Sequence, residues 1–272
     1  MIYDCFTFNN ETDILYFRLK HLWNYVDKFV IVEANMTHRG ILKDWNFSKI
    51  QQDFEWAKDK IEYIQVNLNF GNMDMNYKGD SYNPNSPFMI LDNQQRNGIM
   101  YGLLNANNED IIMISDLDEF PNYFAMDMIY DLTDRYPYFS FGMSSFCYYL
   151  NVIQNDVLWK GTVVGKRKNL FQPQIWRAGR WDIPWEGSMG YHFSWIGKDN
   201  VENKFKNTAH DEVHLYDNQD HIDKCFQMKE DNTFGDLFGR DIKSSIYDIE
   251  SDPYYPRVIT EEKDNFSHLF YK

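Results

Sequence analysis

Two carboxylates that directly follow a short apolar run are the residues of this chain best suited to chemistry. Residues 109–121 read Glu-Asp-Ile-Ile-Met-Ile-Ser-Asp-Leu-Asp-Glu-Phe-Pro, and the apolar run 111–114 predicts a strand buried on both faces. If the chain stays extended, Asp116 and Asp118 project to the same side, because side chains alternate along a strand. Two oxygen ligands at a strand's carboxyl end suit a divalent cation, Mn²⁺ or Mg²⁺, that also holds a diphosphate. The pattern predicts group transfer from a nucleotide-activated donor.

The same carboxylates have a structural interpretation. Acidic residues after a strand are often solvated or cap a helix, and Asp118 with Glu119 could favour the start of a helix over 123–132.

Residues 93–104 predict a helix that leads into the apolar strand. Its apolar residues share one face, which places Arg96 and Asn97 near the first turn. An arginine there can reach a donor phosphate. The alternative is an ordinary solvated helix start. Arg96 and Asn97 are both candidate donor-binding residues, and Asp116 is a candidate ligand of the donor ribose or of the cation.

The first third of the chain alternates strand and helix patterns, as in βαβ units with a parallel sheet. Glu33 falls at the carboxyl end of the second strand, where it could meet a nucleoside or serve as a surface or capping carboxylate. Residues 67–92 are rich in Asn, Gly and Pro and predict one long loop, either a mobile lid or a variable insertion. The predicted elements are strands 2–8, 28–33 and 61–66 and helices 11–25 and 54–60.

Several segments, in order along the chain, resemble glycosyltransferase family 17, whose members include the enzyme that adds the bisecting N-acetylglucosamine to N-glycans. The resemblance runs from residue 1 to about 241. It rests on Ile2-Tyr-Asp-Cys-Phe-Thr-Phe-Asn-Asn-Glu, Val26-Asp-Lys-Phe-Val-Ile-Val-Glu-Ala, Gln95-Arg-Asn-Gly-Ile-Met-Tyr-Gly-Leu, Ile114-Ser-Asp-Leu-Asp-Glu-Phe-Pro, Gly190-Tyr-His-Phe-Ser-Trp and Gly235-Asp-Leu-Phe-Gly-Arg.

This resemblance implies an α/β fold of the GT-A type: a mostly parallel central sheet flanked by helices, with a smaller antiparallel sheet on the acceptor side. One domain, 1–272, would comprise a nucleotide-sugar-binding half, 1–121, and an acceptor-binding half, 122–272. The implied reaction is metal-dependent, inverting transfer of N-acetylglucosamine from UDP-N-acetylglucosamine to a glycan hydroxyl, in β linkage. A sugar-binding module without activity and a sugar nucleotidyltransferase are the alternatives on the same fold.

An inverting transfer needs a carboxylate that takes the proton of the acceptor hydroxyl. The resemblance favours Glu212, since residues 205–214 are similar to a Phe-Ser-His-x-Glu pattern of bacterial members, although Thr208-Ala209 replaces Phe-Ser. Glu186 is the rival, because it lies in a tryptophan-rich stretch suited to sugar binding, and Asp182 comes third.

His192 and Arg240 each have more than one candidate role. His192, in the motif Gly-Tyr-His-Phe-Ser-Trp, could complete the cation's ligands, carry a proton, or be a buried structural histidine. Arg240 could hold the donor diphosphate, or the segment that contains it could be a helix end with a glycine cap.

The amino-acid composition argues against nucleic acid as a partner and bears on the cellular location. Lys and Arg number 27 against 41 Asp and Glu, a net charge of −14, and without a concentrated basic surface nucleic acid is not expected as a partner. Three scattered cysteines favour a reducing compartment. Neither a signal peptide nor an apolar stretch of the ~18 to 20 residues that span a membrane is found, so a cytoplasmic location is expected.

Overall fold

A single nine-stranded sheet organises the chain, and the computed structural model describes all residues, 1–272. Its strands follow the order β3-β2-β1-β4-β7-β6-β8-β5, with β9 paired to β7. The strands are β1 (Ile2–Phe8), β2 (Lys28–Ala34), β3 (Ile61–Val66), β4 (Ile111–Asp116), β5 (Glu119–Pro121), β6 (Tyr138–Tyr148), β7 (Val152–Lys166), β8 (Trp185–Ile196) and β9 (Ser244–Ile246).

Helices pack on both faces of this sheet. The α-helices are α1 (Thr12–Leu22), α2 (Asn46–Ile50), α3 (Pro87–Asn97), α4 (Ile99–Gly102), α5 (Tyr123–Arg135), α6 (Pro173–Ala178), α7 (Lys198–Asn207), α8 (Gln219–Cys225) and α9 (Arg257–Glu261). Five 3₁₀ helices cover Gln51–Lys60, Arg167–Asn169, Gly179–Trp181, Asp211–Leu215 and Ser267–Leu269. No helix is both long and apolar enough to cross a membrane.

The first half of the chain forms the parallel part of the sheet. β1 pairs in parallel with β2 and β4, and β2 pairs in parallel with β3. The carboxyl ends of all four strands therefore lie along one edge, where open α/β sheets bind ligands. This arrangement confirms the predicted α/β fold class and the βαβ order of the first third.

The second half continues the same sheet. β7 pairs antiparallel with β4, β6 and β9, and β8 pairs parallel with β6 and antiparallel with β5. The smaller antiparallel part expected on the acceptor side is therefore a continuation of the central sheet. The reason is the length of β7: its 15 residues reach from β4 at one end to β9 at the other, so both halves share one ladder.

Strand β4 lies at the centre of the sheet and is buried on both faces, as its apolar run predicts. Ile111 and Met113 belong to the larger core beneath α1 and α5, whereas Ile112 and Ile114 belong to a second core beneath α3, α4 and α6. This burial fixes the position of the carboxylates that follow the strand.

Two boundaries differ from the sequence-based expectation. α3 begins at Pro87, where the Ser86 hydroxyl caps the helix by accepting from the Met89 N–H at 3.2 Å, so the long loop ends at residue 86 rather than 92. Arg96 accordingly lies in the last turn of α3, not in the first turn of a helix. A proline in the first turn and a serine cap favour this earlier start.

The chain also leaves the extended conformation at once after β4. Leu117 and Asp118 form a turn before β5 begins, so Asp116 and Asp118 contact different partners instead of projecting to one side as expected. A completely buried arginine, Arg18 of α1, holds the turn. Its Nη1 donates to the carbonyls of Asp116, Leu117 and Glu119, at 3.2, 3.0 and 2.5 Å.

Arg18 is balanced by a carboxylate on the neighbouring strand. Nε and Nη2 donate to the two carboxylate oxygens of Asp4 on β1, at 2.8 and 2.7 Å, and neither side chain is exposed. Removing one partner of a fully desolvated bidentate pair strongly destabilises the fold, because the other charge stays buried without a partner.

Replacing Arg18 with Met should therefore lower the free energy of unfolding by about 3–5 kcal/mol, since Asp4 would be left buried and unpaired. Urea denaturation measures this change. The control Lys58→Met alters an exposed residue and should stay within about 0.5 kcal/mol of the wild type. A loss of less than about 1 kcal/mol for Arg18→Met would contradict the role assigned to this pair.

Candidate active site

Charged side chains from six elements meet at the carboxyl end of β4. α3 supplies Arg96, α6 supplies Arg177, α7 supplies Lys204 and β8 supplies His192, around Asp116 and the turn that follows it. Because the parallel strands end along this edge, the cluster lies where ligands bind in open α/β sheets.

Asp116 is held by two arginines. Arg96 Nη1 donates to one carboxylate oxygen at 2.7 Å, and Arg177 Nη2 donates to the other at 2.6 Å. Burial by itself would raise the pKa of Asp116, but the guanidinium groups of Arg177 and Arg96 outweigh it and hold the pKa well below its usual range. Asp116 is therefore ionised at neutral pH.

Asp118 has a different environment. Its Oδ2 accepts from Lys204 Nζ at 3.2 Å, while its Oδ1 is buried, has no hydrogen-bond partner and lies 3.6 Å from His192 Nε2. Burial lowers the pKa of His192 although Asp118 opposes this effect. A neutral imidazole beside a carboxylate oxygen without a partner is a combination of groups that binds divalent transition metals well.

The pairing of β5 with β8 brings His192 to this position. Glu119 is opposite His192 in the ladder, and Phe193 N–H donates to the Asp118 carbonyl at 2.8 Å. The two strands approach so closely that a Cβ on Gly190 would lie 2.3 Å from the Phe120 carbonyl oxygen. Glycine is therefore required at this point of the late motif.

Glu119, Trp159 and Arg177 form a connected support that sequence analysis did not identify as part of the site. The fully buried Glu119 carboxylate accepts from Trp159 Nε1 at 2.6 Å and forms an ion pair with Arg177. The Trp159 ring in turn stacks on His192, with 4.5 Å between ring centroids. Arg177 and Lys204 come from segments whose residue pattern carries no phosphate-binding signature, so only their proximity to Asp116 and Asp118 reveals them.

Glu33 and Asn97 have structural partners. The buried Glu33 carboxylate accepts from Lys43 Nζ at 2.5 Å, Tyr63 Oη at 2.7 Å, Asn46 N–H at 2.6 Å and the next backbone N–H at 3.0 Å. It thereby anchors the start of α2 against β2. Asn97 Oδ1 accepts from a backbone N–H of α6 at 3.0 Å. The donor contacts expected for both residues stay predictions.

Glu212 lies in the 3₁₀ helix Asp211–Leu215 and contacts the neighbouring His210. Its Oε1 is 3.2 Å from His210 Nδ1, a contact that lowers the pKa of Glu212, while its Oε2 is buried without a partner. The His210 ring lies 6.1 Å from the Trp195 ring, and Lys204 Nζ lies 5.0 Å from the same Trp195 ring. Glu212 is thus linked through these side chains to Asp118.

Glu186 is not adjacent to the cluster. Its charged neighbour is Arg135 at the end of α5, 3.8 Å away. In the ladder Glu186 is opposite Phe141, four positions along β6 from the partner of His192, which corresponds to about 13 Å. Asp182 is exposed and follows the 3₁₀ helix Gly179–Trp181.

Arg240 makes a local ion pair. Its guanidinium donates to both oxygens of Asp236, at 2.9 and 2.7 Å, and its side chain is 55% exposed. The structure records no contact between Arg240 and the Asp116 cluster, so its role toward the diphosphate stays a prediction.

The four tryptophans of the proposed sugar-binding stretch separate into two pairs. Trp176 and Trp195 are buried in the core, whereas Trp181 and Trp185 are 46% and 43% exposed. Only the second pair presents ring surface that a sugar could stack on.

The donor set for a cation is small but chemically suitable. No group of three or more His, Cys, Asp or Glu side chains converges on one point, and both oxygens of Asp116 already accept from arginine. Asp118 Oδ1 and His192 Nε2 fit as two protein ligands for a cation that would take its other ligands from a diphosphate and water.

Solved structures found by comparison are only distantly similar to this chain. The crystal structure of 4-diphosphocytidyl-2C-methyl-D-erythritol synthase is 9% identical, covers 70% of this chain and 88% of its own, and has a TM-score of 0.40. The 2-C-methyl-D-erythritol 4-phosphate cytidylyltransferase of Francisella tularensis is 8% identical over 76% and 99%, with a TM-score of 0.35. The galactosyltransferase LgtC in complex with donor and acceptor sugar analogues is 10% identical over 98% and 94%, with a TM-score of 0.33.

Sequence comparison is more specific. A search of curated proteins found no significant match, but the sequence model of glycosyltransferase family 17 matches residues 1–267. That match contains the carboxylate turn, the late histidine motif and all nine strands. The chain therefore belongs to glycosyltransferase family 17 and is a glycosyltransferase.

Proposed function

We propose that this enzyme transfers N-acetylglucosamine from UDP-N-acetylglucosamine to a glycan hydroxyl, with inversion, at the carboxyl end of β4. The observation that carries the proposal is the buried, unpartnered Oδ1 of Asp118 beside a neutral His192, surrounded by Arg96, Arg177 and Lys204. Basic groups and a cation ligand at one strand end suit a bound diphosphate. Family membership supports the identity of the sugar.

In this proposal Asp118 and His192 hold Mn²⁺ or Mg²⁺. The cation would neutralise charge on the departing nucleoside diphosphate. Glu119 and Trp159 keep the His192 ring in place, through the stacking contact and the indole hydrogen bond described above. Asp116 keeps Arg96 and Arg177 oriented toward the same strand end.

The chemical step joins the acceptor oxygen to the anomeric carbon of the donor sugar. The bond between that carbon and the phosphate oxygen breaks, and its electron pair leaves with the diphosphate. Glu212 takes the proton of the acceptor hydroxyl, since its carboxylate is ionised and its buried Oε2 has no hydrogen-bond partner. Trp181, which contacts the Trp159 ring that stacks on His192, supplies an exposed ring for the acceptor.

A cytoplasmic location remains a prediction from the sequence. Cys5, Cys147 and Cys225 are all buried free thiols, which is compatible with a reducing compartment.

The cation can be tested at Asp118. Asp118→Asn removes a charged ligand at almost constant volume, so UDP release from UDP-N-acetylglucosamine should fall about 10²-fold or more. Titration calorimetry should show that Mn²⁺ tightens UDP binding to the wild type and not to the variant. Full turnover of Asp118→Asn in excess chelator would contradict the metal assignment.

The base can be tested with a matched pair of variants. Glu212→Gln keeps the shape but cannot accept a proton, so transfer to oligosaccharide acceptors should fall by about 10²- to 10⁴-fold with UDP affinity unchanged. Glu186→Gln is the control, because Glu186 is paired with Arg135 away from the cluster, and it should retain transfer within a fewfold. The opposite pattern would move the base to Glu186.

A further inference from the structure

Three arginines lie near Asp116, and one of them has no carboxylate partner. Arg96 pairs with Asp92 and Asp116, and Arg177 pairs with Asp116 and Glu119. Arg180, one turn after Arg177, forms no ion pair. Its guanidinium is the one of the three without a carboxylate in contact.

Arg180 is nevertheless fixed in position. Nε donates to the Lys160 carbonyl at 2.9 Å, and Nη1 donates to the Arg177 carbonyl at 3.0 Å. The guanidinium carbon lies 5.1 Å from the Trp159 ring centroid and 5.0 Å from that of Trp181. These contacts orient the guanidinium while Nη2 has no hydrogen-bond partner.

The electrostatic consequence is unfavourable for the ligand-free protein. Burial, reinforced by repulsion from Arg177, lowers the pKa of Arg180 to about 9, and the attraction of Glu119 and Asp116 does not offset this. The guanidinium is half-buried and has no carboxylate in contact, and groups whose pKa is perturbed in this way are concentrated at ligand sites.

Arg180 also lies beside the proposed reaction centre. The Trp159 ring that it contacts is the same ring that stacks on His192. The neighbouring Arg177 contacts Asp116 directly. The charge of Arg180 also acts on Asp116, whose pKa it helps to lower together with Arg177 and Arg96.

We propose that Arg180 binds the terminal phosphate of the nucleoside diphosphate and stabilises the charge that this phosphate gains as it leaves. The inference rests on the proposed function and adds a residue to it. When the bond from the anomeric carbon breaks, the electron pair stays on the phosphate oxygen, and the guanidinium donates a charge-assisted hydrogen bond to that phosphate. No proton needs to move from Arg180, so the step changes no protonation state there.

A purely structural role and a ligand-binding role for Arg180 predict different effects of its removal on thermal stability. If the guanidinium served only to join β7 to α6 through the two carbonyls, its removal would lower the thermal midpoint. If the guanidinium is kept for ligand binding, its removal leaves the ligand-free midpoint equal to or above that of the wild type.

The test measures thermal unfolding and binding of inorganic pyrophosphate, UDP and uridine, with chelator present so that side chains alone are reported. Arg180→Gln should keep the ligand-free midpoint, lose the rise in midpoint that pyrophosphate causes, and bind pyrophosphate and UDP about 10- to 100-fold more weakly. Uridine, which has no phosphate, should bind as in the wild type.

The control is Arg257→Gln. Arg257 is exposed and also lies over an aromatic ring, that of Tyr123 at 5.7 Å, but on α9, away from the cluster. It should leave the pyrophosphate and UDP responses unchanged. Arg180→Lys, which keeps a charge without the planar fork, should recover part of the pyrophosphate response.

Two results for the variant Arg180→Gln would overturn the proposal: an unchanged pyrophosphate response, or a ligand-free midpoint lowered by several degrees. A wild type that does not respond to pyrophosphate or UDP would also overturn it. By contrast, a response that depends on Arg180, combined with no sugar transfer from UDP-N-acetylglucosamine, would reject the proposed function and retain the phosphate site.

Discussion

The buried contact between Arg18 and Asp4 is the interaction on which the site depends. One guanidinium satisfies a carboxylate of β1 and three carbonyls of the turn between β4 and β5. These groups could not be hydrated at the centre of the sheet, so without the arginine the turn would hold orphaned backbone oxygens. The turn decides where Asp118 and Glu119 point, and through them where His192 and Arg177 are held.

The charged groups around the turn differ in how completely they are hydrogen-bonded or paired. Asp116 and Glu119 are fully committed to arginine and indole donors, so they act as rigid supports. One carboxylate oxygen of Asp118 accepts from Lys204 and the other has no hydrogen-bond partner. Arg180 forms no ion pair with a carboxylate. The rigid side chains hold Asp118 and Arg180 in position, so these two groups need not reorganise when a ligand binds. Such preorganised charges are what electrostatic stabilisation of a transition state requires.

The two halves of the chain contribute different parts of this arrangement. The parallel half contributes Arg96 and Asp116, whereas the second half contributes Arg177, His192 and Lys204. They meet because β7 pairs with β4 and β8 pairs with β5 in one sheet. A separate acceptor-side sheet would not hold His192 next to Asp118 through a backbone ladder, so the continuity of the sheet is a requirement of the site as well as a feature of the fold.

The sequence by itself determined the α/β class, the central buried strand and the carboxylate motif, because these depend on local periodicity and on short motifs. It also indicated His192 as a site residue through its late motif. Tertiary structure alone decided that Asp116 and Asp118 point to different partners, that Arg96 ends a helix, and that Glu186 lies away from the cluster beside Arg135. Arg18, Arg177, Arg180 and Lys204 carry no local signal, since an isolated arginine or lysine reads as a solvated surface residue. Their roles arise from desolvation and from carboxylates or rings distant in the chain, and these become visible only when the strands are paired.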